Sequence, residues 1–152
     1  MNLPEYITRG EVQRVCKELG IRDWTALTEA VVLVSEAEII QAQVGSEALA
    51  ISVQAFQKGL EVELEHGVRF PEANVTNNHP ILTGKIVLAH LKETRDYYVR
   101  LDVAEIEGDL LKALQAGNAE KLASKYALLL QAKAVLAEQE KAAMTDENRG
   151  VD

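Results

Sequence analysis

The segment GLEVELEHGVRFPEANVTNNHPILTGKIVLAHLKETRDYY, residues 59–98, decides how this chain can fold. It contains all three histidines of the chain, His66, His79 and His90, together with several glutamates. Residues 67–79 form a polar loop that separates two runs of residues with helical spacing. The segment therefore predicts two neighbouring helices with a polar site between them, although it does not indicate a reaction.

The first of these helices is predicted from about residue 53 to residue 66, with Ser52 as its N-cap and Gly67 at its end. Its apolar stripe consists of Val53, Phe56, Leu60 and Leu64. Glu63 lies at the edge of this stripe, and His66 follows three residues later on the same flank. Two other glutamates are predicted to point away from the stripe and to be solvated, Glu61 and Glu65.

The second helix is predicted to begin near Pro80. Spacings of three and four place one set of residues on its inward face: His79, Leu82, Ile86, His90, Glu93, Tyr97 and Leu101. Because an unpaired imidazole or carboxylate is costly to bury, His90 and Glu93 require partners or a metal ion. His79 directly precedes the helix, and we expect it to cap the helix start rather than to bind a ligand.

The two helices each offer a Glu and a His three residues apart, as Glu63-x-x-His66 and as His90-x-x-Glu93. The loop between them allows antiparallel packing, which brings the two pairs together. Facing Glu-x-x-His pairs build carboxylate-bridged metal sites in helical bundles. Nitrogen and oxygen ligands without sulfur suit iron, manganese or zinc. Four such residues supply few carboxylates for a dinuclear site, so the pattern favours one ion, with Glu65 or a second subunit as a further contributor. No organic cofactor is indicated.

A structural hydrogen-bond network is the alternative interpretation of the same four residues. In this interpretation His66 pairs with Glu93 and His90 pairs with Glu63, and the network only fixes the fold. The protein would then be a non-enzymatic scaffold or a protein-interaction module. Whether the chain is an enzyme stays open at this point, and metal analysis of the purified protein separates the two interpretations.

The composition limits the classes of protein to which the chain can belong. Its 152 residues suffice for one domain, and 47% of them are hydrophobic. A net charge of −8 argues against nonspecific nucleic-acid binding and against an anionic membrane surface. The single cysteine, Cys16, excludes a disulfide framework and a cysteine-based zinc site. The first ten residues have no apolar signal core, so we expect a soluble cytoplasmic protein.

The N-terminal part is predicted to contain two further helices. The first runs from about Thr8 to Leu19, with Thr8 as its N-cap, and Trp24 follows as a core residue. Residues 27–34, LTEAVVLV, fit either a short strand or a helical turn. A helix from Glu36 to about residue 43 is predicted after them, with Ser35 as its N-cap.

The C-terminal part is predicted to form two long helices, residues 94–116 and 119–143. They pack as an antiparallel hairpin around a turn at Gly117-Asn118. The hairpin carries more apolar residues than one inward stripe needs, which favours a homo-oligomer. Two of its large side chains are predicted to face inward, Leu114 and Tyr126.

The whole pattern predicts an all-α protein, a helical bundle with a long C-terminal antiparallel helical hairpin. The expected organisation is a single helical domain over residues 1–143, with a core motif at 52–101 and the hairpin at 94–143. Residues 144–152 are polar, and we expect them to be a disordered tail.

Five short motifs resemble a family of small bacterial and phage proteins of unknown function. They are GLEVELEHG at 59–67, NVT at 74–76, TGKI at 83–86, AHLKE at 89–93 and DYY at 96–98. The resemblance implies that Glu63, Glu65, His66, His90 and Glu93 belong to the family pattern. Members of this family often have Asp at the position of His79 and Pro at the position of Arg95. The resemblance therefore weakens a ligand role for His79 and supports a helix break near Arg95. It implies no particular activity.

Overall fold

The computed structural model of the protein describes residues 6–147, with the side chains of residues 146 and 147 excepted. Within that range the chain forms seven α-helices and two short 3₁₀ turns, and it forms no strand. The helices are α1 (Arg9–Leu19), α2 (Val34–Val44), α3 (Ser46–Leu49), α4 (Val53–Arg69), α5 (Pro80–Glu93), α6 (Tyr97–Gln115) and α7 (Ala119–Glu147). The predicted all-α class is confirmed.

Contacts along the chain group it into two units, residues 1–93 and residues 94–152. Helices α1 to α5 belong to the first unit, and α6 and α7 belong to the second. Whether the two units act as the single domain predicted for residues 1–143 stays a prediction. Among the residues that the structure describes, no helix combines the length and apolarity that crossing a membrane requires.

The core of the first unit lies where α2, α4 and α5 pack against one another. Its fully buried side chains include Trp24, Ile40, Phe56, Leu60, Leu64, Val87 and Leu91. Burying a side chain of this size contributes about 1.5–3 kcal/mol. Trp24 is therefore a core residue, as predicted, and the apolar stripe of α4 is the face that α4 buries.

Helix α5 buries a different face from the one that the sequence predicts. Its buried residues are Pro80, Thr83, Gly84, Val87 and Leu91. A Cβ atom added at Gly84 would lie 2.7 Å from Cγ2 of Val44 and 2.9 Å from Cγ2 of Ile40. Since only glycine allows α5 to approach α2 this closely, α5 is oriented with Gly84 toward α2. The face of α5 that was predicted to be buried therefore lies at the edge of the core. Ile86 is consequently 38% exposed.

Two helix starts in the first unit agree with the sequence. The side-chain oxygen of Thr8 accepts a hydrogen bond from the Glu11 N–H at 3.2 Å. The side-chain oxygen of Ser52 likewise accepts from the Ala55 N–H at 3.3 Å. Capping of this kind depends only on residues three positions apart, so the sequence is sufficient to predict it.

The start of α2 differs from the prediction because of a buried ion pair. The helix begins at Val34 rather than at Glu36. The side chain that bonds to the backbone at the helix start is that of Glu36 and not that of Ser35. The Glu36 carboxylate, which is 3% exposed, accepts from the Leu33 N–H at 3.2 Å and from Nη2 of Arg22 at 2.6 Å. Burial alone would raise the pKa of Glu36, but hydrogen bonds from Arg22 and Leu33 outweigh burial and lower it.

Residues 27–33 form neither a strand nor a helical turn. Side chains of α4 satisfy the buried backbone of this irregular segment at Val32. The Val32 N–H donates to Oε1 of Glu61 at 3.1 Å, and Nε2 of Gln57 donates to the Val32 carbonyl at 2.7 Å. Because these side chains bond to both backbone groups of Val32, this residue can be buried without sheet pairing. The prediction that Glu61 is solvated is therefore wrong, whereas Glu65 is exposed as expected.

The second unit is the predicted antiparallel hairpin of α6 and α7. Gly117 adopts a left-handed φ of 63° at the turn, and Oδ1 of Asn118 accepts from the Lys121 N–H at 2.9 Å. Helix α7 continues to Glu147, so residues 144–147 of the predicted tail are helical, and residues 148–152 lie outside the described residues. Leu114 and Tyr126 are 62% and 56% exposed, so their predicted inward orientation is wrong.

Candidate functional site

Packing of α4 beside α5 places Glu63 opposite His90. Oε1 of Glu63 and Nδ1 of His90 are 3.1 Å apart, which is a hydrogen-bond distance. The Glu63 side chain is 14% exposed and the His90 side chain is 29% exposed. An ionised carboxylate can only accept, so Nδ1 of His90 carries the proton in this arrangement. The predicted pairing of His90 with Glu63 is thus present.

His66 approaches the other oxygen of the same carboxylate. It follows Glu63 by three residues on α4, and its Nδ1 lies 3.9 Å from Oε2 of Glu63. This separation is too long for a hydrogen bond but within the range of an ion pair. The His66 side chain is 63% exposed, so its imidazole has room to move. Glu63 therefore lies between two imidazoles, one from its own helix and one from α5.

Glu93 does not join this cluster. It is exposed at the end of α5, and within residues 6–147 no hydrogen bond or ion pair connects its carboxylate to His66 or His90. The reason is the rotation of α5 around its axis. With Gly84 and Val87 facing the core, His90 lies at the margin of the buried face and Glu93 points away from it. The predicted pairing of His66 with Glu93 is wrong.

His79 caps α5, as the sequence suggests. Its Nδ1 accepts from the Ile81 N–H at 3.2 Å and from the Leu82 N–H at 3.4 Å. The residue is 9% exposed, and burial lowers the pKa of its imidazole. A protonated Nδ1 could not accept these bonds, so the neutral ring is the form that supports the helix start.

A cavity of about 350 Å³ adjoins Glu63 and His66. Its walls come from the end of α4, from the loop that follows and from Ile86 of α5. The lining residues are Glu63, His66, Gly67, Phe70, Ala73, Asn74, Val75, Thr76, Asn78 and Ile86. The long loop next to the Glu/His cluster thus forms a wall of an open space beside it. The length of this loop beside the polar cluster indicates from the sequence a contribution to the site, but spacing does not identify which of its residues contribute.

The loop is fastened to α4 by amide side chains. Nδ2 of Asn74 donates to Oδ1 of Asn78 at 2.8 Å and to the Gly67 carbonyl at 3.3 Å. Nδ2 of Asn78 donates to the Trp24 carbonyl at 3.4 Å. A Cβ atom at Gly67 would lie 1.9 Å from Oδ1 of Asn78. The prediction that Gly67 ends the helix is therefore wrong, since α4 continues to Arg69. Gly67 instead lets the amide side chains approach the helix backbone.

The described residues contain no group of three or more His, Cys, Asp or Glu side chains already arranged to hold a metal ion. Glu63, His66 and His90 come together, but the separation between Glu63 and His66 is longer than that between Glu63 and His90. The four-residue metal site of the sequence prediction is therefore reduced to three residues that lie close together and one that lies apart.

The fold and the cluster define an all-helical protein with a largely buried carboxylate between two imidazoles beside a cavity. Residues 12–107 match the family described as "Protein of unknown function (DUF5661)", and this match covers more than half of the chain. The chain belongs to this family. The match begins in α1, so it includes most of the N-terminal part that the sequence motifs leave out. No curated protein and no solved structure matches the chain.

Proposed function

We propose that the protein binds a divalent metal ion through Glu63, His66 and His90. The observation that carries this proposal is the 3.1 Å between Oε1 of Glu63 and Nδ1 of His90 on neighbouring helices. Nitrogen and oxygen ligands lie about 2.0–2.2 Å from zinc, so two ligands of one ion are roughly 3–3.5 Å apart. Glu63 and His90 already meet this condition.

His66 would have to move toward Glu63 to complete the set. Its Nδ1 is 3.9 Å from Oε2 of Glu63, and a displacement of less than about 1 Å brings it into the ligand range. The ring is mostly exposed, so a small rotation of its side chain displaces no packed neighbour from the core. Two imidazoles and one carboxylate suit zinc, iron or manganese and leave coordination positions open to a further ligand.

The competing interpretation is that the cluster only holds α4 against α5. The hydrogen bond between His90 and Glu63 is complete without a metal ion, and it satisfies a largely buried carboxylate. Both interpretations predict that loss of His90 lowers stability. They differ in whether the purified protein takes up metal.

Metal content and calorimetric titration with Zn²⁺, Mn²⁺ and Fe²⁺ test the proposal. We expect wild-type protein to bind about one ion per chain, and we expect His90→Ala and Glu63→Gln to abolish binding. Glu93→Gln and Glu65→Gln are matched controls, since both side chains are exposed and lie outside the cluster. Circular dichroism verifies that each variant is folded. Absence of binding to folded wild-type protein, or equal binding by His90→Ala, would refute the proposal.

We further propose that the hairpin of α6 and α7 mediates self-association. Helix α7 exposes several large apolar side chains, namely Tyr126, Leu128, Leu130 and Val135, and α6 exposes Leu111 and Leu114. Exposed apolar side chains on both helices support an interaction surface on the hairpin. Light scattering at micromolar concentration should give a mass above that of one chain, and Leu130→Glu with Val135→Glu should lower it. A wild-type mass of 16.7 kDa would contradict the proposal.

A further inference from the structure

The cavity beside Glu63 and His66 combines one carboxylate with an apolar wall. We infer that it binds a small primary amine, whose protonated ammonium group lies against Glu63 and whose apolar body lies against the wall. This inference goes beyond the proposed metal site and does not rest on it. Both ligands use the Glu63 carboxylate, so the amine and a metal ion exclude each other.

The charges around the cavity favour a cation. Among the described residues that line it, there is one carboxylate and there is no lysine or arginine. An imidazole is ordinarily neutral at pH 8, so the lining then carries the negative charge of Glu63. Arg69 lies outside the lining, and its charge is offset by Glu65, whose Oε1 is 3.4 Å from Nη1 of Arg69. This charge attracts an ammonium group and repels a carboxylate.

The geometry of Glu63 favours an ammonium group that still has N–H donors. The Glu63 carboxylate has two oxygens with about four acceptor positions, and the 3.1 Å bond from His90 to Oε1 does not exhaust them. Oε2 is 3.9 Å from His66, which is beyond hydrogen-bond distance. The Glu63 side chain is only 14% exposed, and hydrogen bonds between charged groups are stronger than neutral ones. A primary ammonium group donates such bonds, whereas a quaternary one has no N–H.

The apolar wall consists of side chains that water otherwise covers. Phe70 is 43% exposed, Val75 is 84% exposed and Ile86 is 38% exposed, and all three line the cavity. They come from the end of α4, from the loop that follows and from α5. An apolar ligand body removes this surface from water, which is favourable. The volume of about 350 Å³ is at the lower end of the range for small-molecule sites, about 300–1,000 Å³, so the body is small.

The polar side chains of the loop hold the wall in place. The Asn74 amide donates to Asn78 and to the Gly67 carbonyl, and the Asn78 amide donates to the Trp24 carbonyl. The Thr76 hydroxyl donates to Oδ1 of Asn74 at 3.4 Å. These bonds are made within the protein, so the selection of the ligand's head group falls to Glu63.

Four probes separate the head of the ligand from its body: 2-phenylethylamine, 2-phenylethanol, 3-phenylpropionate and ethylamine. Each is titrated by calorimetry into metal-free full-length protein at pH 8. We expect 2-phenylethylamine to bind about tenfold or more tightly than each of the others. The alcohol lacks the charge, the propionate has the opposite charge, and ethylamine lacks most of the apolar body. Ethylamine also measures the nonspecific attraction of a cation to a protein with a net charge of −8.

Three variants locate the bound amine. Glu63→Gln removes the charge but keeps an oxygen that can accept from His90, and we expect it to weaken 2-phenylethylamine about tenfold. Glu72→Gln is the matched control, since it removes the same charge from an exposed residue outside the lining, and it should leave the affinity unchanged. Val75→Ser should weaken the amine severalfold, and its exposed side chain makes no contribution to the buried core. Circular dichroism verifies that each variant is folded.

The outcomes test this inference separately from the metal proposal. Binding of 2-phenylethylamine that is no tighter than that of 2-phenylethanol or ethylamine would overturn it, as would unchanged affinity in folded Glu63→Gln. Tighter binding of 3-phenylpropionate would show an anion site instead. If Zn²⁺ binds, it should displace the amine, and simultaneous binding of both would show that the ammonium group is not on Glu63. If Zn²⁺ does not bind, the metal proposal fails, and the amine titrations still decide this inference.

Discussion

The two units of the chain differ in the polar contacts that each contains. All five buried polar side chains of the described residues lie in the first unit: Glu36, Gln41, Asn78, His79 and Thr83. Each has a hydrogen-bond partner, such as the Ala48 carbonyl, which accepts from Nε2 of Gln41 at 2.8 Å. Charged groups of the second unit pair at its surface instead, as Glu107 does with Lys133 at 2.8 Å.

This difference decides which substitutions each unit tolerates. A buried polar group that loses its partner remains without water and keeps its desolvation cost. An exposed charge that loses its partner is hydrated again, so little stability is lost. The first unit should therefore be sensitive at polar positions where the second unit is not.

The largest expected effect is that of Glu36→Ala. The change removes the carboxylate that pairs with Arg22 and that accepts from the Leu33 N–H inside the protein. Because Arg22 is 37% exposed, we expect a loss near the lower end of the range for broken buried pairs, about 3 kcal/mol. Urea unfolding measures it. Glu107→Ala, which breaks a surface pair of the hairpin, is the control and should change the free energy of unfolding little. Equal losses in the two variants would remove the contrast between the units.

Glycine-to-alanine changes in the two units should have opposite signs. Gly84→Ala places a methyl group within 2.7 Å of Val44 and 2.9 Å of Ile40, and we expect it to destabilise the protein by about 1–3 kcal/mol. Gly108 lies in α6, and a Cβ atom there would have no neighbour within 4 Å. Gly108→Ala should stabilise the protein by up to about 1 kcal/mol, because alanine favours the helix. Thermal unfolding reports both changes, and a stabilising Gly84→Ala would show that α5 and α2 are not closely packed.

The smallest expected effect is a dependence of stability on pH that arises from His79. Burial lowers the pKa of His79 below its ordinary value of 6.5. Below that value the unfolded chain takes up a proton that the folded chain does not, so stability falls as pH decreases toward the folded pKa. Glu11 and Arg14 are the charged groups that act on this imidazole. Carboxylates with lowered pKa, such as Asp109, contribute only at lower pH.

His79→Asn checks this prediction, since asparagine can cap a helix but does not titrate. Urea unfolding between pH 7 and pH 5 should show a smaller loss of stability in this variant than in wild type. His66→Asn should retain the wild-type loss, because His79 is still present in it. The second unit has no histidine, so histidine protonation in that unit does not contribute to the change in stability between pH 7 and pH 5. An unchanged pH profile in His79→Asn would exclude His79 as the cause.

Half of the candidate site could be predicted from the sequence. Spacing along one helix is a local property, so Glu63 and His66 are recognisable as neighbours on α4. The pairing of Glu63 with His90 was also predictable, because the loop between the two helices allows them to pack antiparallel. Glu93 could not be placed correctly, since its direction depends on how α5 is rotated by the contact of Gly84 with α2. The cavity was not predictable either, because its loop wall depends on the amides of Asn74 and Asn78.

The sequence by itself determined the features that depend on residues three or four positions apart. These are the all-α class, the caps at Thr8 and Ser52 and the turn at Gly117 that joins the two hairpin helices. Only the tertiary structure decided contacts between distant residues, such as Arg22 with Glu36 across 14 positions and Asn78 with Trp24 across 54. The physical reason is that a helix forms through bonds to its own neighbouring residues, whereas the face it buries depends on the shape of the elements against which it packs.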